Sequence, residues 1–320
     1  MHPPTMSNAA GGLPEPRREP PAEPPPRGPS PLSWLVTPAS AGRRIHAALQ
    51  SSADLALLDL EDAVADDAKD SARTAALDVL AQYDPADAKA LPMAGLRVNA
   101  LDSLHGLLDL IGLARSAVRP RVLVIPKVES PRDVEIAAAV VGGARQDHPL
   151  VWALIETPQA IQNLPEILQA RGLAGVLFGT ADYAAAAGCS RTSRALWYPR
   201  SVLAAGAAAA GLPAIDSPYF DLRDPDGLRR ETEEAAELGF TGKVAVHPAQ
   251  LPVIQAAFRP SATALAHARA VVSAADACTA GITTVDGQMV GPPLVAAARA
   301  LTTRAGDTAR PRHHEDGGTS

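Results

Sequence analysis

Several short apolar runs in this chain end on acids or other polar groups. Leu58-Asp59-Leu60-Glu61-Asp62, Pro126-Lys127-Val128-Glu129, Ile155-Glu156-Thr157 and Phe178-Gly179-Thr180-Ala181-Asp182 each follow Leu, Val or Ile, and Arg97-Val98-Asn99, Asp216 and His247-Pro248 close other runs. One acid after an apolar run is most simply a helix cap. Six successive runs with charged ends ask for another explanation. Carboxylates gathered in one place repel one another unless cations join them. Arg97 is one such cation, always charged and able to grip a carboxylate through two parallel hydrogen bonds. A bound metal is the other, and oxygen-only ligands suit Mg²⁺ or Mn²⁺ rather than zinc. Glu156 and Asp182, at the ends of adjacent runs, are the candidate ligands. The competing reading makes Thr180 and Asp182 caps of the following helix.

These residues need a scaffold that brings strand ends together. The runs at 34–37, 55–60, 95–99, 122–127, 151–156, 175–179, 213–216 and 243–247 read as strands, short and apolar as strands buried on both faces should be. Helical signals lie between them. Ser130-Pro131 with Asp133, and Thr157-Pro158 with Ile161, Leu164 and Leu168, are helix starts followed by helical spacing. Asp224 precedes Leu228, Ala235 and Leu238, and Gly239 follows as the stop. Eight strand–helix alternations predict an α/β fold, a closed (β/α)₈ TIM barrel whose active site forms at the C-terminal strand ends. An open doubly wound sheet is the alternative. No G-x-G-x-x-G follows the first strand to support it.

Composition narrows the function classes. Hydrophobic residues make up 47% of the 320 but aromatics only 3%, so the core is built from Leu, Val, Ile and Ala, which suits helices packed on a sheet. A net charge of −6 argues against a nucleic-acid partner. Cys189 and Cys278 stand far apart, in no disulfide or zinc pattern. No apolar run reaches membrane-spanning length, and the first residues lack a basic-then-apolar signal, so a cytoplasmic protein is expected. The Pro-rich residues 1–31 and the polar residues 304–320 are expected to be disordered tails.

The strings LDLEDAV (58–64), RVN (97–99), PKVES (126–130), IET (155–157), FGTAD (178–182) and GKVAVHPAQ (242–250) strongly resemble the citrate lyase beta-subunit and malyl-CoA lyase group of the HpcH/HpaI aldolase superfamily. The resemblance covers about residues 33–298. It implies a TIM barrel over 32–259 and a C-terminal helical extension over 260–303 that contacts a neighbouring subunit in a homotrimer or hexamer. It implies Mg²⁺ held by Glu156 and Asp182, with Glu61 and Asp62 arranging metal-bound water. It places Arg97 on the oxygens of an oxo-acid, with Gly179, Thr180 and Ala181 in substrate binding. The reaction it implies cleaves or forms a carbon–carbon bond between an acyl-CoA and a small oxo-acid. The chain departs from the group in two places. Members with lyase or synthase chemistry carry M-[IV]-D-x-P near the C-terminus, the Asp serving as acid/base in a neighbouring site. Here the string is Met289-Val290-Gly291-Pro292-Pro293, and Gly291 cannot move a proton. Asp286 matches a different position. The start departs too, with Leu32 before Ser33-Trp34-Leu35 where the group often has Arg. The first reading is therefore a Mg²⁺-dependent lyase or aldolase. The alternatives are a CoA thioester hydrolase and a non-catalytic metal- and ligand-binding member.

Overall fold

The computed structural model describes residues 30–83, 92–142, 149–278 and 281–308, without side chains for 304–308. The expected tails fall mostly outside these residues. Eight parallel strands close into a barrel in chain order: β1 (Ser33–Pro38), β2 (Leu55–Asp59), β3 (Met93–Arg97), β4 (Val122–Ile125), β5 (Leu150–Ile155), β6 (Leu173–Phe178), β7 (Ala214–Asp216) and β8 (Gly242–Ala245), with β8 pairing back onto β1. The closed barrel predicted from the alternation is the one observed. Helices α1 (Gly42–Leu49), α2 (Lys69–Gln82), α3 (Leu104–Arg115), α4 (Pro131–Gly142), α5 (Pro158–Gln162), α6 (Leu164–Ile167), α7 (Thr180–Ala187), α8 (Ser193–Ala209), α9 (Pro225–Leu238) and α10 (Leu251–Phe258) occupy the crossovers and follow β8. Among the described residues no helix is long and apolar enough to cross a membrane.

The anticipated helix signals act as expected. Thr157 accepts from the Ala160 amide, and Asp224 from that of Gly227. Gly239 ends α9 in the left-handed conformation at φ 99°. Asp133 gathers the amides of Glu129 and Ser130 and the Ser130 hydroxyl at the start of α4.

Strand periodicity decides which side chains enter the barrel. Alternate residues such as Leu55 and Leu57, Val122 and Val124, and Trp152 and Leu154 pack together inside it, apart from the larger core between strands and helices. Trp34 and Trp152 meet edge to face there, with ring centroids 4.8 Å apart. Gly175 makes room for them, since a Cβ at 175 would lie 2.3 Å from the Trp152 ring. Continued by two residues, the inward rows reach Asp59 on β2 and Glu156 just past β5. Arg97 lies beside Asp59 in the β2–β3 register.

Past the barrel, α11 (Ala262–Ala277) and α12 (Pro292–Thr308) clasp a two-stranded antiparallel hairpin, β9 (Thr283–Val285) and β10 (Gln288–Val290). The extension is thus not wholly helical. The reason is Asp286-Gly287, whose φ angles of 49° and 77° make the tight turn that an Asp-Gly pair favours. Val271, Val285, Val290 and Ala298 form a small core of its own. Helix α12 also runs through 304–308, residues expected in the tail, because no proline interrupts the sequence until Pro311.

Candidate functional site

A cavity of about 380 Å³ opens at the C-terminal end of the barrel. It is lined by Asp59, Asp62, Arg97, Glu156, Gly179, Thr180, Ala181 and Asp182, so most of the predicted site residues meet there. Glu61 joins them from the side. It is buried, with Oε2 2.8 Å from Arg97 Nη1 and Oε1 3.3 Å from Lys127 Nζ. Neither approach has hydrogen-bond alignment, and both Glu61 oxygens are buried without a donor.

Arg97 is committed to a neighbour that sequence reasoning did not single out. Its Nε and Nη2 each donate to Asp59, both at 2.7 Å. Asp59 is fully buried and also accepts from the Glu61 amide at 2.9 Å. Burial alone would lower the Arg97 guanidinium, but the charge and hydrogen bonds of Asp59 raise it, so it stays charged. Asp59 takes two of the five N–H groups. Of the rest, Nη1 faces Glu61 at 2.8 Å and Asp62 at 3.5 Å, so a ligand would share the guanidinium with these acids. Asp59 lies two residues beyond Leu57 on the inward row and opposite Arg97 in register, a placement that the closed barrel fixes and the string Leu58-Asp59-Leu60 does not.

The loop after β2 is pinned from below. Lys69, at the start of α2 and buried, donates from Nζ to the Leu60 and Glu61 carbonyls at 2.9 and 2.7 Å. After β4, Lys127 adopts a positive φ of 52°, and its amide donates to Glu156 Oε1 at 2.8 Å. After β6, Gly179 leaves space for that same carboxylate, because a Cβ at 179 would fall 2.6 Å from Glu156 Cβ and Oε2. Thr180 bonds Ser217 through its amide and its hydroxyl. Neither Thr180 nor Asp182 caps α7, which starts from Gly179 with no side-chain cap.

Electrostatics single out two carboxyls. Burial pushes Glu156 up to about 8, helped by the charges of Glu61 and Asp182 and opposed by the Lys127 amide and Arg97. Burial also pushes Glu61 up to about 7 against the pull of Arg97, with Asp62 and Asp59 raising it and Lys127 lowering it. Acids held this way seek a cation. Among the described residues, no three His, Cys, Asp or Glu side chains have the spacing of a metal centre. Mg²⁺ asks less, since one or two carboxylates plus water and substrate oxygens suffice. Glu156 and Asp182 are such a pair, and the undonated Glu61 oxygens suit a water on the ion. The donor set therefore fits Mg²⁺.

Other polar strand ends have structural work. Asp216 points out of the barrel, where Arg200 and Lys243 hold it at 3.1 and 2.5 Å. Burial would raise its pKa, but those two cations lower it. Asn99 bonds Asp109 through its amide and side chain. His247 caps the turn Pro248–Gln250.

A barrel with its acids, arginine and cavity at the C-terminal strand ends defines a class of enzyme scaffold. The family model described as HpcH/HpaI aldolase/citrate lyase matches residues 33–248, and the chain belongs to that family. It is 35% identical over 281 residues to a citrate lyase subunit beta-like protein of Mycobacterium tuberculosis, covering 86% of this chain and 95% of that one. To a (3S)-malyl-CoA thioesterase of Cereibacter sphaeroides it is 34% identical over 278 residues, 85% of this chain and 94% of the other. A mitochondrial citramalyl-CoA lyase of Rattus norvegicus is 29% identical over 290 residues, 85% of each chain. The fold superposes on protein CitE from Mycobacterium tuberculosis in complex with magnesium, acetoacetate and coenzyme A, with TM-score 0.73, 33% identity and coverage of 87% and 98%. The family thus includes both lyases and a thioesterase, and relatives bind magnesium.

Proposed function

We propose that this protein is a Mg²⁺-dependent carbon–carbon lyase that splits a 3-hydroxyacyl-CoA, or a related hydroxy acid, into an acyl-CoA and a small oxo-acid. The observation that carries this reading is the convergence of Glu156, Asp182 and Arg97 on one cavity, with Glu61 against Arg97 beside it and both Glu156 and Glu61 held at raised pKa. Glu156 and Asp182 would hold the ion; Mn²⁺ offers similar oxygen chemistry. When bound, the ion supplies Lewis acidity to the oxo-acid carbonyl. Arg97, kept charged by Asp59, stabilises oxygen charge on the same fragment through its remaining N–H groups. Gly179, Thr180 and Ala181 form one wall; the Gly179 and Thr180 amides are held by the Ile155 carbonyl and the Ser217 hydroxyl, which leaves the Ala181 amide, in the first turn of α7, to face a carboxylate. Glu61 and Asp62 orient water. The magnesium, acetoacetate and coenzyme A in the related complex support the oxo-acid and acyl-CoA assignment. We place the barrel at 32–259 and the extension at 260–303, the latter reaching a neighbouring subunit of a homotrimer or hexamer.

One observation favours a second reading. Gly291 has no side chain to serve as acid or base, and a similar relative is named a malyl-CoA thioesterase. In that reading water attacks the thioester carbonyl and CoA leaves as its thiol. Incubation with Mg²⁺ and a panel of CoA esters separates the two. An oxo-acid with acyl-CoA supports the lyase, a hydroxy acid with free CoA supports the hydrolase, and no turnover of any ester with intact binding supports a non-catalytic member.

A further inference from the structure

Below the polar rim the cavity has a purely aliphatic floor. Val36, Leu57, Val124, Leu154, Leu177 and Val244 come from six different strands, and all but the half-buried Val36 are buried. Two of them lie directly under the chemistry, because Leu57 precedes Asp59 and Leu154 precedes Glu156 by one inward step. The Trp34–Trp152 pair is packed in the same barrel interior. Arg97 is the only cation among the residues lining the cavity, and two of its N–H groups are already held by Asp59. Lys127 directs its ammonium to Glu61 instead. Trp152 Nε1 is buried without a partner but does not line the cavity.

We propose that this floor is a specificity pocket, and that it selects a 2-oxo acid carrying an alkyl substituent over one carrying hydrogen or a second carboxylate. The inference rests on the lyase reading of the rim. The group held by Arg97 and the metal ligands stands immediately above the floor, whereas the CoA portion enters from the open mouth, where Phe220 and Val246 are exposed. An alkyl group pointing down removes apolar surface from water. A second carboxylate would lose its hydration there and find no cation. Each methylene buried is worth about a fourfold gain in affinity.

Calorimetric titration of the Mg²⁺-loaded full-length protein with glyoxylate, pyruvate, 2-oxobutanoate and oxaloacetate tests this. The expected order is 2-oxobutanoate tightest, then pyruvate about fourfold weaker, then glyoxylate, with oxaloacetate weaker than 2-oxobutanoate. Glyoxylate or oxaloacetate binding as tightly as 2-oxobutanoate overturns the floor assignment and leaves the lyase reading standing. Failure of every oxo-acid to bind overturns both. Val36→Leu, which adds a methylene to the floor, should narrow the advantage of 2-oxobutanoate over glyoxylate; an unchanged ratio in a folded variant counts against the assignment.

Discussion

At the scale of single residues, the proposed Mg²⁺ site sets protons and a cation in competition for the same oxygens. Glu156→Ala and Asp182→Ala should each abolish Mg²⁺ binding while the protein stays folded, since each removes one of the two anionic ligands proposed. Calorimetry showing undiminished affinity in either variant would remove that residue from the ligand set. The raised carboxyls make a second prediction. Glu156 and Glu61 move from 4.5 to about 8 and about 7, so between those values the metal-free folded state binds more protons than the unfolded one. Their contribution to stability is therefore complete below about 4.5 and lost as pH rises toward 8. The melting temperature of chelator-treated protein should fall across that window, and Glu156→Gln should flatten the fall. Mg²⁺ should bind more weakly as pH drops below about 8, because it must displace the protons. Arg97→Lys tests the anion site. A point charge cannot reproduce the fork on Asp59 or the remaining donors, so oxo-acid affinity should drop by about 1.5–3 kcal/mol. If Arg97 merely neutralised Asp59 and Glu61, pyruvate binding would be unchanged in the lysine variant.

At the scale of elements, precision comes from what the strand ends lean on. Glu156 is held by the left-handed Lys127 on one side and the bare Gly179 on the other. Gly179→Ala should therefore displace Glu156 and weaken Mg²⁺ binding at least tenfold, a cost of about 1.4 kcal/mol, while circular dichroism stays native. Unaltered Mg²⁺ affinity would show that the carboxylate relaxes freely. The β2 loop is held instead by Lys69, a buried ammonium whose two hydrogen bonds go to backbone carbonyls. This is a different device for the same purpose, keeping Glu61 in place although its own oxygens lack donors.

At the scale of the whole molecule, position 291 tests how the extension meets a barrel. Gly291 does not need a glycine's conformational freedom. It is absent from the positive-φ glycines, and a Cβ there would meet only Pro293 at 4.0 Å. Gly291→Asp should accordingly fold and assemble normally. If the proposed neighbouring-subunit placement holds, it should raise cleavage of malyl-CoA, by up to the roughly 10²–10⁴-fold that a positioned acid/base group gives. A well-folded oligomeric variant with unchanged turnover would show that position 291 does not face a site, and rapid turnover by the unmodified protein would show that another residue carries the proton.

Much of this was legible in the sequence because the relevant signals are local. All eight strands lie where apolar runs end on polar residues, since a strand buried on both faces must be apolar along its length and the barrel puts chemistry where it stops. The candidate ligands and Arg97 were visible for the same reason, whereas the β9–β10 hairpin was not, since a helical extension was expected where Asp286-Gly287 makes its turn. Tertiary structure decided which strand-end acids turn inward. Asp59 and Asp216 look alike as strand-end aspartates, yet one enters the cavity to hold Arg97 and the other faces outward to Arg200 and Lys243. Inward or outward follows from strand register modulo two residues, and a one-residue uncertainty in where a strand begins exchanges the two faces. The raised pKa values of Glu61 and Glu156 were equally out of reach, because burial and the approach of charges from separate strands exist only once the barrel has closed.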